Sequence, residues 1–307
     1  MSASWRLASR RRALQARAAI LWAIRRFFLE RDFLEVETPH RIPAPAPESH
    51  IDAVPADGWF LHTSPELCMK RLLAAGHQRI FQVCRCWRQS ERGQLHVPEF
   101  TLLEWYSAGS NYRDLMEDCQ ALIQHVAQAT GRGDELVYQG QSVHLRGQWP
   151  RMTVQEAFEL YSELSVTTAI EQNQFDEIMV RDVEPHLSGT RPVFLSDYPA
   201  ERGSLARLRA DDATVAERVE LYIAGLELAN GFTELTDPDE QRTRFVREAA
   251  NRRSMGKQAY PLPERFLEEL QDVPPAAGMA LGVDRLVMLL VDAASIDDVV
   301  AFTPEDL

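Results

Sequence analysis

Two strand-like runs, Phe81-Gln-Val-Cys-Arg-Cys-Trp-Arg88 and Glu99-Phe-Thr-Leu-Leu-Glu-Trp-Tyr106, are separated by a polar ten-residue loop, Gln89 to Pro98. Paired antiparallel, they set a fixed cation, Arg88, across from the acceptors Glu104 and Tyr106, where a sheet built only to pack would carry apolar residues. Such a mixture lines a binding site; a surface salt bridge on an edge hairpin accounts for the same residues. Cysteine chemistry is less promising. Cys68, Cys84, Cys86 and Cys119 form neither CxxC nor a Cys/His zinc spacing and are expected to be free buried thiols in a reducing compartment. Cys84 and Cys86, two apart in a strand, share a face and do not easily bond to each other.

The elements that must position these residues follow from periodicity and punctuation. Ile20, Leu21, Ile24, Phe27 and Phe28 are spaced like the buried face of a helix over 11–31, and Phe33 to Pro39 reads as a short strand closed by proline. Pro43, Pro45 and Pro47 make 41–50 an extended connection. Ser64-Pro65-Glu66 starts a helix, with Ser64 as cap, that ends near Ala75 at Gly76. Along the second strand Phe100, Leu102, Glu104 and Tyr106 share one face, and Thr101, Leu103 and Trp105 the other. Tyr112 to Thr130 is an amphipathic helix, Val215 to Leu228 an apolar segment with interleaved acids, Asn230-Gly231 a turn signal, and Gln241 to Met255 a charged helix. Gly278 to Leu281 is a strand passing through Gly282 into a buried helix to Leu290. Residues 131–215 carry no chemical motif. Helices and strands do not alternate regularly, which predicts an α+β fold, an antiparallel sheet flanked by helices, in a single domain over 1–307.

Composition, at 45% hydrophobic and 26% charged residues, excludes disorder, collagen and coiled coil. A net charge of −13 argues against whole-chain attraction to nucleic acid or an anionic membrane, so a polyanion must meet a local basic site. Residues 1–31 hold eight Arg against one acid, Glu30. A transit peptide is a possible source of such a bias, but the helical spacing favours the first helix of the fold. No apolar run is long enough for a membrane span, and a cytoplasmic protein is expected. Lysine is scarce, only Lys70 and Lys257, and this supports no functional reading.

Cys86-Trp87-Arg88, the loop, and His96-x-Pro98-Glu99-Phe100-Thr101-x-x-Glu104-Trp105-Tyr106 resemble motif 2 of the class II aminoacyl-tRNA synthetases, most closely the lysyl enzymes; the hairpin is bounded by residues 81–106. Residues 11–39 resemble motif 1, the dimer-forming element. Gly278-Met-Ala280-Leu-Gly282-Val-Asp-Arg285, within 278–290, resembles motif 3. Glu227-Leu-Ala-Asn230-Gly231-Phe232-Thr-Glu234-Leu235 resembles the lysyl-site signature. With motif 1 beginning near residue 11, no anticodon-binding domain and no tRNA anticodon contact are expected. Together with Thr63-Ser64-Pro65-Glu66-x-x-Met69-Lys70-Arg71-Leu72-Leu73 and Ala280, the pattern is most similar to the bacterial elongation factor P lysine ligases.

The resemblance implies a homodimer that uses ATP and Mg2+ to adenylate a lysine analogue, (R)-β-lysine, and passes it to a lysine side chain of elongation factor P. No protein nucleophile is needed, since a carboxylate oxygen attacks the α-phosphate in line. Arg88 would bridge the substrate carboxylate and the α-phosphate, and Arg285 would meet the γ-phosphate. Gln89, Ser90, His96, Val97, Glu227 and Leu228 complete the nucleotide set, with Gly282 letting ATP approach the backbone at a helix start. Glu220 and Glu227 match the magnesium-binding acids; Gly225 between them is a natural bulge position that would bring both to one face. Ser64, Glu66, Glu104, Tyr106, Asn230, Glu234 and Ala280 would hold the amino acid. Taken alone, Gly282 to Arg285 is also an ordinary turn and helix cap, Asn230-Gly231 a type I′ turn, and Ala280 ordinary packing.

Two departures from the family pattern stand out: Ser90 replaces a nucleotide-contacting Glu, with Glu91 next to it, and Val97 replaces an Asn. They leave two further readings open, an adenylate-forming enzyme for another carrier or acceptor, and a catalytically impaired paralogue that binds amino acid as a regulator.

Overall fold

The computed structural model describes residues 7–307. Its strands are β1 (Leu34–Glu35), β2 (Arg41–Ile42), β3 (Pro55–Ala56), β4 (Trp59–Leu61), β5 (Arg79–Trp87), β6 (Glu99–Ala108), β7 (Glu135–Tyr138), β8 (Gln141–His144), β9 (Arg151–Thr153), β10 (Val193–Pro199), β11 (Val215–Ile223), β12 (Leu226–Thr233) and β13 (Ala276–Gly282). The α-helices are α1 (Arg11–Leu29), α2 (Glu66–Ala74), α3 (Tyr112–Ala129), α4 (Val154–Tyr161), α5 (Val166–Glu171), α6 (Phe175–Ile178), α7 (Pro238–Ser254), α8 (Glu264–Glu269) and α9 (Val283–Val291). Among the described residues no helix is long and apolar enough to cross a membrane.

Eight strands form one sheet in the order β1-β5-β6-β13-β12-β11-β10-β9. The expected antiparallel sheet is found in its interior, whereas β1 and β9 at the two edges pair parallel with β5 and β10. The reason is connectivity. A parallel pair needs a long crossover, and helices supply it, α2 between β1 and β5 and α4 to α6 between β9 and β10. The second crossover lies in the stretch that showed no motif.

The two faces of the sheet differ as the alternation on β6 predicts. Leu103 and Trp105 join Phe81, Ile24 and Phe27 of α1, Leu115 and Ile123 of α3, and Leu286 of α9 in the main core. Each large apolar side chain so buried contributes about 1.5–3 kcal/mol. Leu102, Glu104 and Tyr106 face the other way, into a cavity of about 560 Å³.

The segment over 215–233 corrects the sequence reading. It is a β11–β12 hairpin turning at Ala224-Gly225, where φ is +51° and +79° as a two-residue primed turn requires. Asn230-Gly231 lies mid-strand, not in a turn. Glycine is needed at 231 for close strand packing, since a Cβ there would stand 2.8 Å from the Gly278 carbonyl oxygen. The expected bulge exists, but at Leu228 and not at Gly225: Leu221 pairs with Ala229 and Tyr222 with Glu227, which leaves Leu228 as the extra residue.

Candidate active site

Cross-strand register assembles the site. Glu104 on β6 pairs with Ala280 on β13, Ala280 with Asn230 on β12, and Asn230 with Glu220 on β11. Directly paired residues share a face, so four motif residues far apart in sequence form one row across four strands. A second row runs beside it, Tyr106 to Gly278 to Phe232 to Arg218. Gly278 is forced there, because a Cβ would lie 2.2 Å from the Tyr106 ring and 2.6 Å from Glu234 Oε1.

One end of the cavity is acidic. Ser64 Oγ accepts from the Glu66 backbone N–H at 3.0 Å, at the start of α2, and donates to Glu104 Oε1 at 2.6 Å, while Tyr106 O–H donates to Glu104 Oε2 at 2.9 Å. Burial, then the nearby Glu66 charge, pushes the Glu104 carboxyl up to about 8. Burial likewise raises Glu234 to about 8, against the opposing pull of Lys70. Lys70, fully buried, donates to Glu66 Oε1 at 2.6 Å and forms an ion pair with Glu234 Oε2. Glu234 Oε1 and Asn230 Oδ1 are buried and accept no hydrogen bond within the protein. Lys70 carried no assigned role in the sequence; its signal was the apolar spacing of α2, which places position 70 inward.

The other end mixes cations and acids. Arg88 sits just past β5, its backbone N–H bonded to the Pro98 carbonyl at 2.9 Å, its guanidinium 5.0 Å over the Phe100 ring and 3.7 Å from Glu91. Its Nε is buried and unpartnered. Arg285, in the first turn of α9, donates to the Glu227 carbonyl at 2.8 Å and to Glu227 Oε2 at 3.3 Å, and meets His96 Nε2 at 2.6 Å. Burial first, and then the Arg285 charge, holds His96 below its ordinary range. Gly282 caps that helix, and an added Cβ would have no neighbour nearer than 3.9 Å, so the chain's own packing does not demand glycine. Glu220 accepts from Arg218 at 2.7 Å and from Tyr222 at 2.8 Å. Glu227 is raised by burial and then by Glu220, so the two carboxylates oppose each other's charge.

Thirteen of the sequence-derived residues border the cavity: Ser64, Glu66, Arg88, His96, Val97, Glu104, Tyr106, Glu227, Leu228, Asn230, Ala280, Gly282 and Arg285. Glu234 and Glu220 do not line it, but each is tied to a residue that does, Glu234 through Lys70 to Glu66 and Glu220 to Arg218. Gln89 and Ser90 are not brought into it; both are exposed, and Ser90 adopts φ +66°. That left-handed residue turns the loop so that Glu91, not Ser90, borders the cavity. Glu48, a half-buried cavity residue, had no role in the sequence reading; desolvation pushes its carboxyl up to about 7. Its segment is clamped by the fully buried Arg252 of α7, which donates to the Glu48 and Ile51 carbonyls at 2.7 and 2.8 Å and to Asp52 at 2.7 Å.

The chain is similar over nearly its whole length to known proteins. The family model for class II tRNA synthetases (D, K and N) matches residues 2–306. The elongation factor P–(R)-β-lysine ligase of Pectobacterium carotovorum subsp. carotovorum (strain PC1) is 40% identical over 319 residues, covering 98% of each chain. The enzymes of the same name from Proteus mirabilis (strain HI4320) and Vibrio atlanticus (strain LGP32) are 39% and 36% identical, again over 98% of this chain.

Proposed function

Since the chain belongs to the class II tRNA synthetases (D, K and N), we propose that it is an ATP-dependent ligase joining (R)-β-lysine to elongation factor P through an aminoacyl-adenylate. The observation that carries the choice of amino acid is charge balance. Glu66, Glu104 and Glu234 face a single protein cation, Lys70, so the fully ionised end of the cavity holds two surplus negative charges. A diamino acid supplies two ammonium groups. Glu234 Oε1 and Asn230 Oδ1, buried without partners, are acceptors for them.

The substrate carboxylate would then lie toward Arg88, whose planar fork suits a carboxylate and a phosphate together. Its oxygen attacks the α-phosphorus and pyrophosphate leaves. The amine of a lysine side chain of elongation factor P next attacks the acyl carbon, and AMP leaves. Arg88 and Arg285 stabilise the charge that shifts onto the phosphate oxygens, with His96 unprotonated and holding Arg285 in place. Glu220 and Glu227 suit a Mg2+ ion in donor chemistry, as hard carboxylate oxygens whose mutual repulsion a cation relieves; bound there, it would neutralise triphosphate charge. Glu91 at the cavity supports ATP use despite Ser90, which weighs against the impaired-regulator reading.

The homodimer is part of the same proposal. Trp22 and Leu29 of α1 and Leu34 of β1 are 66%, 52% and 50% exposed, an apolar surface on the motif 1 element that a second copy would cover. The test is ATP-pyrophosphate exchange with (R)-β-lysine and α-lysine, followed by transfer of labelled amino acid to elongation factor P or to tRNA-Lys. Exchange with (R)-β-lysine and label on elongation factor P are expected. No exchange with either amino acid, or charging of tRNA at synthetase-like rates, overturns the reading.

A further inference from the structure

Beside the cavity, on the same face of the sheet and next to Arg88, lies a cluster that the ligase reaction does not use. Cys84 and Cys86 point to the same face of β5, with their Sγ atoms 3.9 Å apart. His62, just after β4, brings Nε2 to 4.0 Å from Cys86 Sγ, and one ligating atom from each of the three residues lies within 4.8 Å of the others. All three side chains are buried, and among the described residues no other set of His, Cys, Asp and Glu is as close. We propose that His62, Cys84 and Cys86 are a binding site for a thiophilic divalent cation of the zinc type, completed by His40.

The two sulfurs already stand at nearly the spacing of the bound state. With Zn–S of about 2.3 Å, two thiolates on a tetrahedral ion stand about 3.8 Å apart, close to the spacing already present. His62 Nε2, 4.0 Å from Cys86 and within 4.8 Å of Cys84, closes on the first by a few tenths of an ångström and swings farther toward the second. The backbone holds it ready: its N–H donates to the His40 carbonyl at 2.8 Å, and its own carbonyl accepts from the Trp87 N–H at 3.0 Å. The His40 ring, exposed to solvent, stands 5.3 Å from the His62 ring and offers both a fourth ligand and a way in. Binding exchanges the contact of His62 Nε2 with the Arg85 carbonyl, 2.7 Å, for the metal, with the ring proton on Nδ1. The cysteines bind as thiolates and give up their protons.

Two thiolates and imidazoles select a soft or borderline ion and not magnesium, so this site is chemically separate from Glu220 and Glu227. The CxC spacing alone forms no recognised zinc motif, and His62 joins it only through the sheet. The ion would be structural. Cys84 and Cys86 pack with Leu102, Phe100 and Ala280, and Cys86 is two residues from Arg88, so a bound ion would fix the strand end on which the arginine sits.

The full-length protein, stripped with a chelator, is titrated with Co2+ and then Zn2+. One Co2+ per chain with thiolate-to-cobalt absorption, displaced by Zn2+, is expected, unchanged in Cys68→Ser and abolished in the Cys84→Ser/Cys86→Ser double variant. A missing thiolate band, or one that survives the double substitution, overturns the proposal. A measurement on the unaltered chain stands independently of whether that variant folds: zinc X-ray absorption should show two sulfur neighbours at about 2.3 Å, and a first shell without sulfur refutes the site.

Discussion

Arg88 and Arg285 each present a guanidinium where the phosphate charge would shift, so Arg88→Ala or Arg285→Ala should lower amino-acid-dependent pyrophosphate exchange about 10²–10³-fold or more, with circular dichroism unchanged. Exchange at the wild-type rate in either variant removes that residue from the mechanism. Glu104 and Glu234, both raised to about 8 by burial, give a pH dependence with a definite sign. Below pH 8 the ligand-free carboxyls hold protons that a cationic substrate must displace. Affinity for (R)-β-lysine should therefore fall as pH drops from 8 to 6, and calorimetry at pH 7 in buffers of different ionisation enthalpy should record proton release; an uptake or no exchange would contradict it. Ala280 stands between Glu104 and Asn230 in the row, and in the proposed binding mode its methyl would lie beside the amino acid. Ala280→Gly should shift preference toward α-lysine by about 10–200-fold, the worth of one methyl in a tight pocket; an unchanged ratio would make Ala280 packing alone. Most of these residues were legible because motif spacing fixes side-chain type. Lys70 was not: a buried cation between two acids is a matter of three-dimensional pairing, and its sequence neighbours reveal only that it faces inward.

At the scale of elements, strand alternation was readable on β6, where Glu104 and Tyr106 interrupt an otherwise apolar face, and the β13–α9 junction was readable from its glycine. The β11–β12 hairpin was not. Asn230-Gly231 is the stronger turn dipeptide, yet it lies in a strand because Gly231 lets β13 approach, while the weaker Ala224-Gly225 turns the chain. Tertiary contact decided between two local signals. The same closeness makes Gly278 a sensitive point. Gly278→Ala must push the Tyr106 ring aside, at a cost of about 1–3 kcal/mol for overpacking, and should weaken amino acid binding more than ATP binding. Equal loss of both, read from separate titrations, would mean a general loosening of the sheet.

The whole molecule turns the predominantly basic helix α1 and its exposed Trp22 outward. In the proposed dimer, Trp22→Arg should move the protein to monomer in sedimentation at micromolar concentration; a dimer that persists in the variant would place the interface elsewhere, and a monomeric wild type would overturn the dimer. The α+β class was legible from irregular alternation of elements, but the two parallel edges were not, since β1 and β9 are two and three residues long and leave almost no periodicity to read. The cross-strand row also acts as a ruler. From Glu104 to Glu220 the sheet advances three strands, about 14 Å at the usual spacing. Length along the hydrogen-bonding direction is thus counted in strands and cannot be stretched by side-chain movement alone. A diamine joined to a phosphonate by a linker of that reach should meet the acidic end and the arginine-bearing end at once, whereas one a single strand shorter should satisfy only one of them.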